Sequence, residues 1–247
     1  MFNTEALLSS DLPKVRVGIG RGSDAGNVER SVEAMKRYDV VIYDEPESLV
    51  EDLVSGRIDA AVRGDMSSSV VLPIVKRKTG IKGLERIVFL ELLSGKMIIM
   101  APVGIDEGWT DAQRIELARH CVEMAKRVGL GTKIAVMSGG RCEDRGRCRA
   151  VDTSIDSALN IVKALRSEGY DAYHSQILIE EAVANADILI APQGIIGNII
   201  FRTLHFLGGA KALGAPIANM DRVFIDTSRV KTDYTDSIAL AMRLTEE

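Results

Sequence analysis

The sequence predicts an α/β fold with a mostly parallel sheet that helices cover on both faces. Three observations lead to this prediction. Short apolar runs rich in Val, Ile and Ala recur along the chain, helical patterns separate most of them, and several loops after a predicted strand carry Gly, Ser, Arg and Asp. In such folds ligands bind outside the carboxyl ends of the strands, so these loops are the candidate functional segments.

The predicted elements alternate along almost the whole chain. Gly56 is typical of a helix C-cap, Thr110 or Asp111 of an N-cap, and Ser94-Gly95 of a hairpin turn. Apolar runs predict strands over Lys14–Ile19, Val40–Tyr43, Ile58–Val62, Ile87–Leu93, Lys96–Ala101, Lys133–Met137, Ala172–His174, Asp187–Ile190 and Arg222–Asp226. Amphipathic patterns predict helices over Val28–Tyr38, Ser48–Ser55, Val70–Lys78, Thr110–Val128, from Thr153 or Asp156 to Glu168, over Ile177–Asn185, from Gly197–Asn198 onward and over Asp236–Leu244.

The composition is that of a globular protein without a nucleic-acid or membrane partner. Of the 247 residues, 46% are apolar and 27% are charged, which suits one large α/β domain or two smaller ones. Aromatic residues make up 4% and the net charge is −4, with no Lys/Arg-rich run that would bind nucleic acid or an anionic membrane. No apolar run approaches the roughly 18 residues of a membrane span, and the first residues lack a signal-peptide pattern, so a cytoplasmic protein is expected.

The three cysteines indicate neither a disulfide framework nor a metal site. Cys121 lies within a helical pattern and is expected in the core, whereas Cys142 and Cys148 flank a charged loop. A zinc site needs more closely spaced ligands, and the three histidines are scattered along the sequence. No metal site is therefore predicted, and the loop cysteines are expected to be reduced.

The stretch Ala191–Gly209, APQGIIGNIIFRTLHFLGG, is a strand–turn–helix candidate for anion binding. It follows a short apolar strand, and free N–H groups at the start of a helix would converge on its turn. The alternative is that its glycines only permit a tight turn between the strand and the helix. The candidate binding residues are Gly194, Gly197 and Asn198.

The loop SGGRCEDRGRCR follows the predicted strand Lys133–Met137 and is the most charged loop of the chain. Its four arginines outnumber its two acidic residues, and the arginine fork suits bidentate phosphate binding. The alternative is a solvated loop with internal ion pairs of small energy. The excess positive charge favours an anion site formed by Ser138, Gly139, Gly140 and Arg141.

The loop GIGRGSDAGN after the first predicted strand invites a dinucleotide or S-adenosylmethionine interpretation. Its glycines do not follow the pattern G-x-G-x-x-G, and Asp44 only loosely matches the acidic residue expected after a second strand. The alternatives are a plain turn with solvated charges, or a loop that lines an anionic ligand through Arg21 and Ser23. The cofactor therefore stays unassigned.

Two further loops carry candidate residues. DTSRVKTDYTD places Ser228 and Arg229 after a strand, where such a pair would hold a phosphate and polarise a carbonyl. Asp236 would either accept a proton or cap the last helix. The loop RGDMSSS follows another predicted strand, and its candidates are Ser67 and Ser68.

Four segments together resemble the phosphate acetyl/butyryltransferases. They are GRIDAAVRGDMSSSVVLPIVKRKTG, KRVGLGTKIAVMSGG, ADILIAPQGIIGNIIFRTLHFLGGAKALGAPI and RVFIDTSR, in that family's order and spacing from about residue 56 onward. Within this superfamily the chain is most similar to the MtxX-type archaeal methanogenesis markers, which carry a methyltransferase label, because the SGGR loop and the short N-terminal region fit that group. Gln193 and Leu72 stand where the acyltransferases carry Asp and Arg.

The resemblance implies an isocitrate/isopropylmalate dehydrogenase-like (phosphotransacetylase-like) architecture of two α/β lobes with a deep cleft. One lobe would comprise residues 1–106 and 220–247, and the other residues 107–219. The family also implies a homodimer formed through the second lobe.

Three functions follow from these residues and from the resemblance. The first is a transferase that binds a small anionic substrate (phosphate, an acyl phosphate or a coenzyme A-like molecule) in the interlobe cleft, with Ser228, Arg229 and Asp236 as catalytic residues. A methyltransferase linked to methanogenesis is one alternative, supported by the GIGRG loop and the family label. A non-catalytic ligand-binding protein is the other, suggested by Gln193 and Leu72.

Overall fold

The computed structural model describes residues 2–23, 25–228 and 230–246. Arg229, one of the predicted catalytic residues, lies outside the described residues. The chain divides into two compact units: one combines the chain up to Leu84 with the chain from Leu213 onward, and the other is Glu85–Ala212. Each unit has helices around a mostly parallel sheet, which confirms the predicted α/β class.

The first unit is built on five strands. They are β1 (Arg16–Gly20), β2 (Asp39–Tyr43), β3 (Ala60–Val62), β10 (Val223–Asp226) and β9 (Lys211–Pro216), of which Leu213–Pro216 belong to this unit. Their order is β2-β1-β3-β10-β9. The first four in this order are parallel, and β9 is antiparallel to β10.

Five helices within the described residues flank this sheet, and the third along the chain shows both a start and a stop signal. They are α1 (Thr4–Ser9), α2 (Ala25–Ala34), α3 (Pro46–Ser55), α4 (Ser68–Thr79) and α9 (Thr235–Arg243). Pro46 occupies the first turn of α3, where its missing N–H leaves no bond unmade, and Gly56 ends that helix at φ 77°, as predicted. The side chains that α3 and α4 bury together include Leu49, Leu53, Val71 and Val75.

The second unit repeats the plan with five other strands. They are β4 (Val88–Glu91), β5 (Met97–Ala101), β6 (Ile134–Met137), β7 (Ala172–Gln176) and β8 (Ile188–Ile190), in the order β4-β5-β8-β6-β7. β4 and β5 form the antiparallel hairpin predicted from Ser94-Gly95. The other neighbours are parallel, so β5, β8, β6 and β7 all end at the same edge.

One of the helix caps predicted from the sequence lies in the second unit. They are α5 (Asp111–Arg127), α6 (Arg149–Ser167), α7 (Ile179–Asn185) and α8 (Gly194–Arg202), which continues into a π-helical turn over Thr203–Leu207. Thr110 and Gln113 form a reciprocal capping box at the start of α5, so the predicted N-cap is confirmed. Cys121 is fully buried in α5, as predicted, and burial raises the pKa of its thiol.

Several boundaries differ from the predictions. The sequence gives no sign of α1 or of β9, whose segment KALGAP contains Gly and Pro, residues of low strand propensity. α6 begins at Arg149, ahead of Thr153 and Asp156, and α8 begins at Gly194, ahead of Gly197. α8 starts early because the Gln193 side chain caps it. Glutamine is rarely found at N-caps, so the sequence does not indicate this start.

The unit boundaries also differ from the lobe boundaries expected near residues 106 and 219. The structure divides the chain after Leu84 and after Ala212. β4 pairs with β5 and β5 pairs with β8, so the hairpin belongs to the second unit. Over the described ranges, no helix combines the length and the apolar character needed to cross a membrane.

Candidate functional site

In the second unit the carboxyl ends of β6 and β8 lie side by side. Val136 pairs with Ile190, so the segments after the two strands leave the sheet at one edge. This edge is where an open α/β sheet binds its ligands. The predicted anion-binding residues that follow these two strands are Ser138, Gly139, Gly140, Arg141, Gly194, Gly197 and Asn198.

At the start of α8 the backbone N–H groups are already hydrogen-bonded. The side-chain oxygen of Gln193 accepts a bond from the N–H of Ile195 at 2.6 Å and from the next N–H at 3.3 Å. The N–H of Gly194 donates to the carbonyl of Glu107, and the N–H of Gly197 to the carbonyl of Gln193, each at 2.9 Å. An anion bound at this helix start would have to displace the Gln193 side chain.

The glycines of α8 allow a close approach to the segment Pro102–Gly104 that follows β5. A Cβ on Gly194 or on Gly197 would overlap a carbonyl oxygen of that segment. The Asn198 side-chain amide donates to the carbonyl of Val103 at 2.9 Å. These contacts explain the residue types at the three positions by packing, and their part in anion binding stays a prediction.

The buried Ser138 holds the segment after β6 in a turn through its side-chain hydrogen bond. Ser138 is 2% exposed, and its hydroxyl donates to the carbonyl of Gly140 at 2.8 Å. The N–H of Gly139 donates to the Ser154 hydroxyl, also at 2.8 Å. His174 Nε2 lies 2.8 Å from the same Ser138 Oγ. The serine and the histidine, 36 residues apart, meet because β6 and β7 are parallel neighbours.

The other imidazole nitrogen faces a thiol. His174 Nδ1 lies 3.8 Å from Cys142 Sγ, on the short 3₁₀ turn that follows the serine segment. Burial, together with the nearby Arg145 guanidinium, lowers the pKa of His174. The ring is therefore neutral at pH 7, with one nitrogen that donates and one that accepts.

Gln176 fixes this turn from the end of β7. Its side-chain oxygen accepts a hydrogen bond from the Cys142 N–H, and its carbonyl accepts one from the Ser138 N–H, each at 2.9 Å. Its φ of 60° lies in the left-handed region, which a residue other than glycine seldom adopts. The register between β6 and β7 shifts at the same point.

Half of the arginines in the charged loop have an acidic partner. Arg145 pairs with Asp156 at 2.6 Å, and Arg147 with Asp144 at 2.8 Å. Arg141 is exposed, and its guanidinium forms no ion pair with any residue that the structure describes. The loop thus contains both the internal ion pairs of the simpler interpretation and an exposed arginine that forms no close ion pair among the described residues, although its charge helps to lower the pKa of Asp144.

In the first unit the loops after β3 and β10 also start at one edge. Val62 pairs with Ile225, and these loops carry Ser67, Ser68 and Ser228. The Ser67 hydroxyl lies 2.8 Å from that of its neighbour Ser69, at the start of α4.

Asp236 has a cationic partner in the structure. It is 1% exposed, and its two oxygens lie 2.9 and 3.0 Å from Lys231 Nζ. It is the second residue of α9, whose N-cap is Tyr234, so the alternative role of helix N-cap is wrong. Its role as a base stays a prediction.

The loop after β1 is also held by its own acidic residues. Arg21 makes two hydrogen bonds to Asp44, at 2.6 and 2.9 Å, and one to Glu29 at 2.7 Å. The Arg21 guanidinium and the Asp44 carboxylate, the two groups considered for ligand binding, therefore bind each other.

The comparison with known sequences decides the family. The chain is 40% identical over 207 residues, covering 83% of its length and 76% of the relative, to the "Putative methyltransferase mtx subunit X" of Methanosarcina barkeri. The chain belongs to the mtx subunit X family. No protein-family model matches it.

Solved structures place the mtx subunit X family in the phosphotransacylase fold. A branched-chain phosphotransacylase from Enterococcus faecalis aligns with a TM-score of 0.73 over 94% of this chain and 99% of that one, at 19% identity. A phosphotransacetylase from Streptococcus pyogenes aligns with a TM-score of 0.71 over 97% and 96%, at 15% identity. These likenesses confirm the predicted fold family.

Sequence reasoning misses His174 and Gln176 in this member of the mtx subunit X family. Both lie in a short strand without a recognisable motif, and the nearest candidate, Ser138, is 36 residues from the histidine. A parallel pairing of the predicted strands Lys133–Met137 and Ala172–His174 was the one signal that would have brought them together.

Proposed function

We propose that the protein is a transferase that binds a small substrate through a phosphate or carboxylate group. The family relatives carry the name of a methyltransferase, and the fold is that of phosphotransacylases. The observation that carries the proposal is Arg141, an exposed guanidinium without an ion pair among the described residues, beside the Ser138–Gly140 segment. An unpaired arginine at the carboxyl edge of a parallel sheet suits a bidentate anion.

Within this proposal the Arg141 guanidinium supplies positive charge beside the serine segment, whose Ser138 and Gly139 N–H groups are already hydrogen-bonded to Gln176 and Ser154. Gly140 is buried, and its N–H donates to no group of the described chain, so it is the backbone donor of this segment that a ligand would complete. Gly194, Gly197 and Asn198 shape the neighbouring wall. In the first unit, Ser67, Ser68, Ser228 and Arg229 are proposed to bind substrate, with Asp236 as the base. Binding in an interlobe cleft remains a prediction from the family resemblance.

Calorimetry with phosphate, acetyl phosphate and coenzyme A tests the proposal. Arg141→Gln is expected to weaken binding of the phosphate-bearing ligand about tenfold, since a charged hydrogen bond contributes about 1.5–3 kcal/mol. Arg147→Gln is the matched control, because Arg147 lies on the same loop but is paired with Asp144. No binding by the parent protein, or equal losses in both variants, would contradict the proposal.

Methyl transfer is the second candidate function. The methyltransferase name of the Methanosarcina barkeri relative favours it. In an S-adenosylmethionine site after β1, the Asp44 carboxylate would bind the ribose. In this structure that carboxylate accepts two hydrogen bonds from the Arg21 guanidinium. Calorimetry with S-adenosylmethionine at millimolar concentration tests that cofactor directly. Turnover assays with acyl phosphates, acyl thioesters and methyl donors separate both enzymes from a non-catalytic binding protein.

We also propose that the protein forms a homodimer through the second unit. An apolar surface on α8 and its π-helical turn, formed by Ile195, Ile199, Phe206 and Leu207, is exposed. Leu207 is 84% exposed and Ile199 is 59% exposed. Such a cluster on one helix is typical of a protein–protein interface, and the family resemblance implies a second copy as its partner.

A further inference from the structure

Ser138, His174 and Cys142 form a hydrogen-bonded series of side chains in the second unit. Ser138 follows β6, Cys142 lies on the turn after it, and His174 comes from β7. His174 Nε2 is 2.8 Å from Ser138 Oγ, and His174 Nδ1 is 3.8 Å from Cys142 Sγ. The imidazole thus lies between a hydroxyl and a thiol, the arrangement in which a base serves a nucleophile while a third group orients it.

The hydrogen bonds determine which imidazole nitrogen is the base. The single hydroxyl proton of Ser138 is donated to the carbonyl of Gly140, so Ser138 Oγ can only accept from His174. Nε2 must then carry the ring proton, and the neutral ring leaves Nδ1 as the acceptor. Nδ1 is the nitrogen that faces the Cys142 thiol.

The thiol is both accessible and held in place. Cys142 is exposed, while Gln176 Oε1 accepts a hydrogen bond from its backbone N–H. Cys148, six residues further along the same loop, is also exposed but has no histidine beside it among the described residues. Arg145 lies near the imidazole, and its guanidinium is paired with Asp156 at 2.6 Å.

We propose that Cys142 is a nucleophilic thiol with His174 as its base and Ser138 as the residue that orients the imidazole, and that it accepts an acyl group from an acyl phosphate. The choice of acyl donor rests on the proposed function. The assignment of the reactive thiol does not.

The step balances without an additional reactant. The Cys142 proton moves to His174 Nδ1 and the sulfur forms a bond to the acyl carbon. The bond between that carbon and the phosphate oxygen breaks, and phosphate leaves with the electron pair. The imidazolium then returns its proton to the phosphate or to water, which leaves an acyl thioester on Cys142.

Alkylation by iodoacetamide at pH 7, followed by peptide mass spectrometry, tests the thiol. In the parent protein Cys142 is expected to react at least about tenfold faster than Cys148, because His174 Nδ1 can accept the thiol proton as the sulfur attacks. His174→Gln should bring the two rates together. Ser138→Ala should lower the ratio of the Cys142 rate to the Cys148 rate. Ser138→Thr, which keeps the hydroxyl, should give a ratio close to that of the parent protein. Buried Cys121 reports unfolding, since it reacts only if a variant opens.

Equal rates for Cys142 and Cys148 in the folded parent would overturn the proposal. So would an unchanged ratio in a folded His174→Gln variant. A ratio restored by Ser138→Thr distinguishes orientation of the imidazole from a merely structural role for the serine.

Incubation with acetyl phosphate tests the acyl donor. An acetyl group on Cys142, absent from Cys148 and at least about tenfold slower to form in His174→Gln, is expected. If phosphate binds through Arg141 but Cys142 is never acetylated, this proposal fails and the proposed function stands. If Cys142 is acetylated selectively although Arg141→Gln binds phosphate as tightly as the parent, the proposed anion site fails and the thiol site stands.

Discussion

Arg63 and Asp226 form a buried ion pair that joins the ends of β3 and β10. The distance from Arg63 Nε to the Asp226 carboxylate is 2.5 Å, and the two side chains are 4% and 13% exposed. Arg63 also donates to the carbonyl of Met66 within its own loop. The pair therefore holds the loop that carries Ser67 and Ser68 against the neighbouring strand, and its guanidinium is already occupied by Asp226 and Met66.

Removing the arginine of this pair is expected to destabilise the protein strongly. Arg63→Met leaves the Asp226 charge in a buried position without its arginine, a change that costs about 3–5 kcal/mol. The free energy of unfolding in urea measures it. Arg16→Met is the matched control, since Arg16 forms an exposed ion pair with Asp39 at 2.9 Å and its loss should cost under about 1 kcal/mol. Equal effects would contradict the prediction.

A second prediction concerns pH and the pair of His120 with Glu85. His120 Nδ1 lies 2.8 Å from Glu85, and that hydrogen bond raises the pKa of His120 above its ordinary value of about 6.5. A raised histidine pKa contributes stability that is fully present below pH 6.5 and is lost as the pH rises through the folded-state pKa.

The test compares urea unfolding of the parent protein and His120→Gln on either side of that window. At pH 6 the parent should be more stable than the variant by a margin that shrinks at pH 9. A margin that stays constant or grows with pH would show that the pair does not act through the charge of His120.

A third prediction concerns the close approach at α8. Gly197→Ala places a methyl group onto the carbonyl oxygen of Pro102, and overpacking of this kind costs about 1–3 kcal/mol. Gly83→Ala is the control, because a Cβ there meets no atom within 4 Å. Urea unfolding should separate the two variants clearly, and a neutral Gly197→Ala would mean that the helix can move away at little cost.

A fourth prediction concerns self-association. Replacing Ile199 and Leu207 by glutamate introduces charge into the exposed apolar surface of α8, so the proposed dimer should dissociate. Light scattering after gel filtration measures the mass. Val54→Glu is the control, since Val54 is 44% exposed in the first unit. A monomeric parent protein, or a dimer that the double variant leaves intact, would rule out this interface.

Local signals in the sequence predicted the elements whose ends have specific chemistry. Ser94-Gly95 marked the hairpin, Thr110 marked the cap of α5, and Gly56 marked the end of α3, because each of these residues satisfies a local backbone requirement. The start of α8 was placed three residues late because a glutamine cap has no strong sequence signature.

The candidate site was predictable only in the parts that a single loop carries. Ser138 stood out by its glycines and arginines, but its contact with His174 depends on the pairing of β6 with β7 and on the irregular register near Gln176. Propensity carries no information about which strands pair. The Arg21–Asp44 pair is missed for the same reason, because Arg21 follows β1 and Asp44 follows its parallel neighbour β2.

The neutral amide of Gln193 has a consequence for the electric field at the edge of the second sheet. A tethered, uncharged oxygen closes the start of α8 without adding a negative charge at the end of β8. An aspartate would close the same helix start but would add a negative charge there. Exchanging Gln193 for Asp would therefore lower the electrostatic potential at this helix start while an oxygen acceptor for the Ile195 N–H is kept.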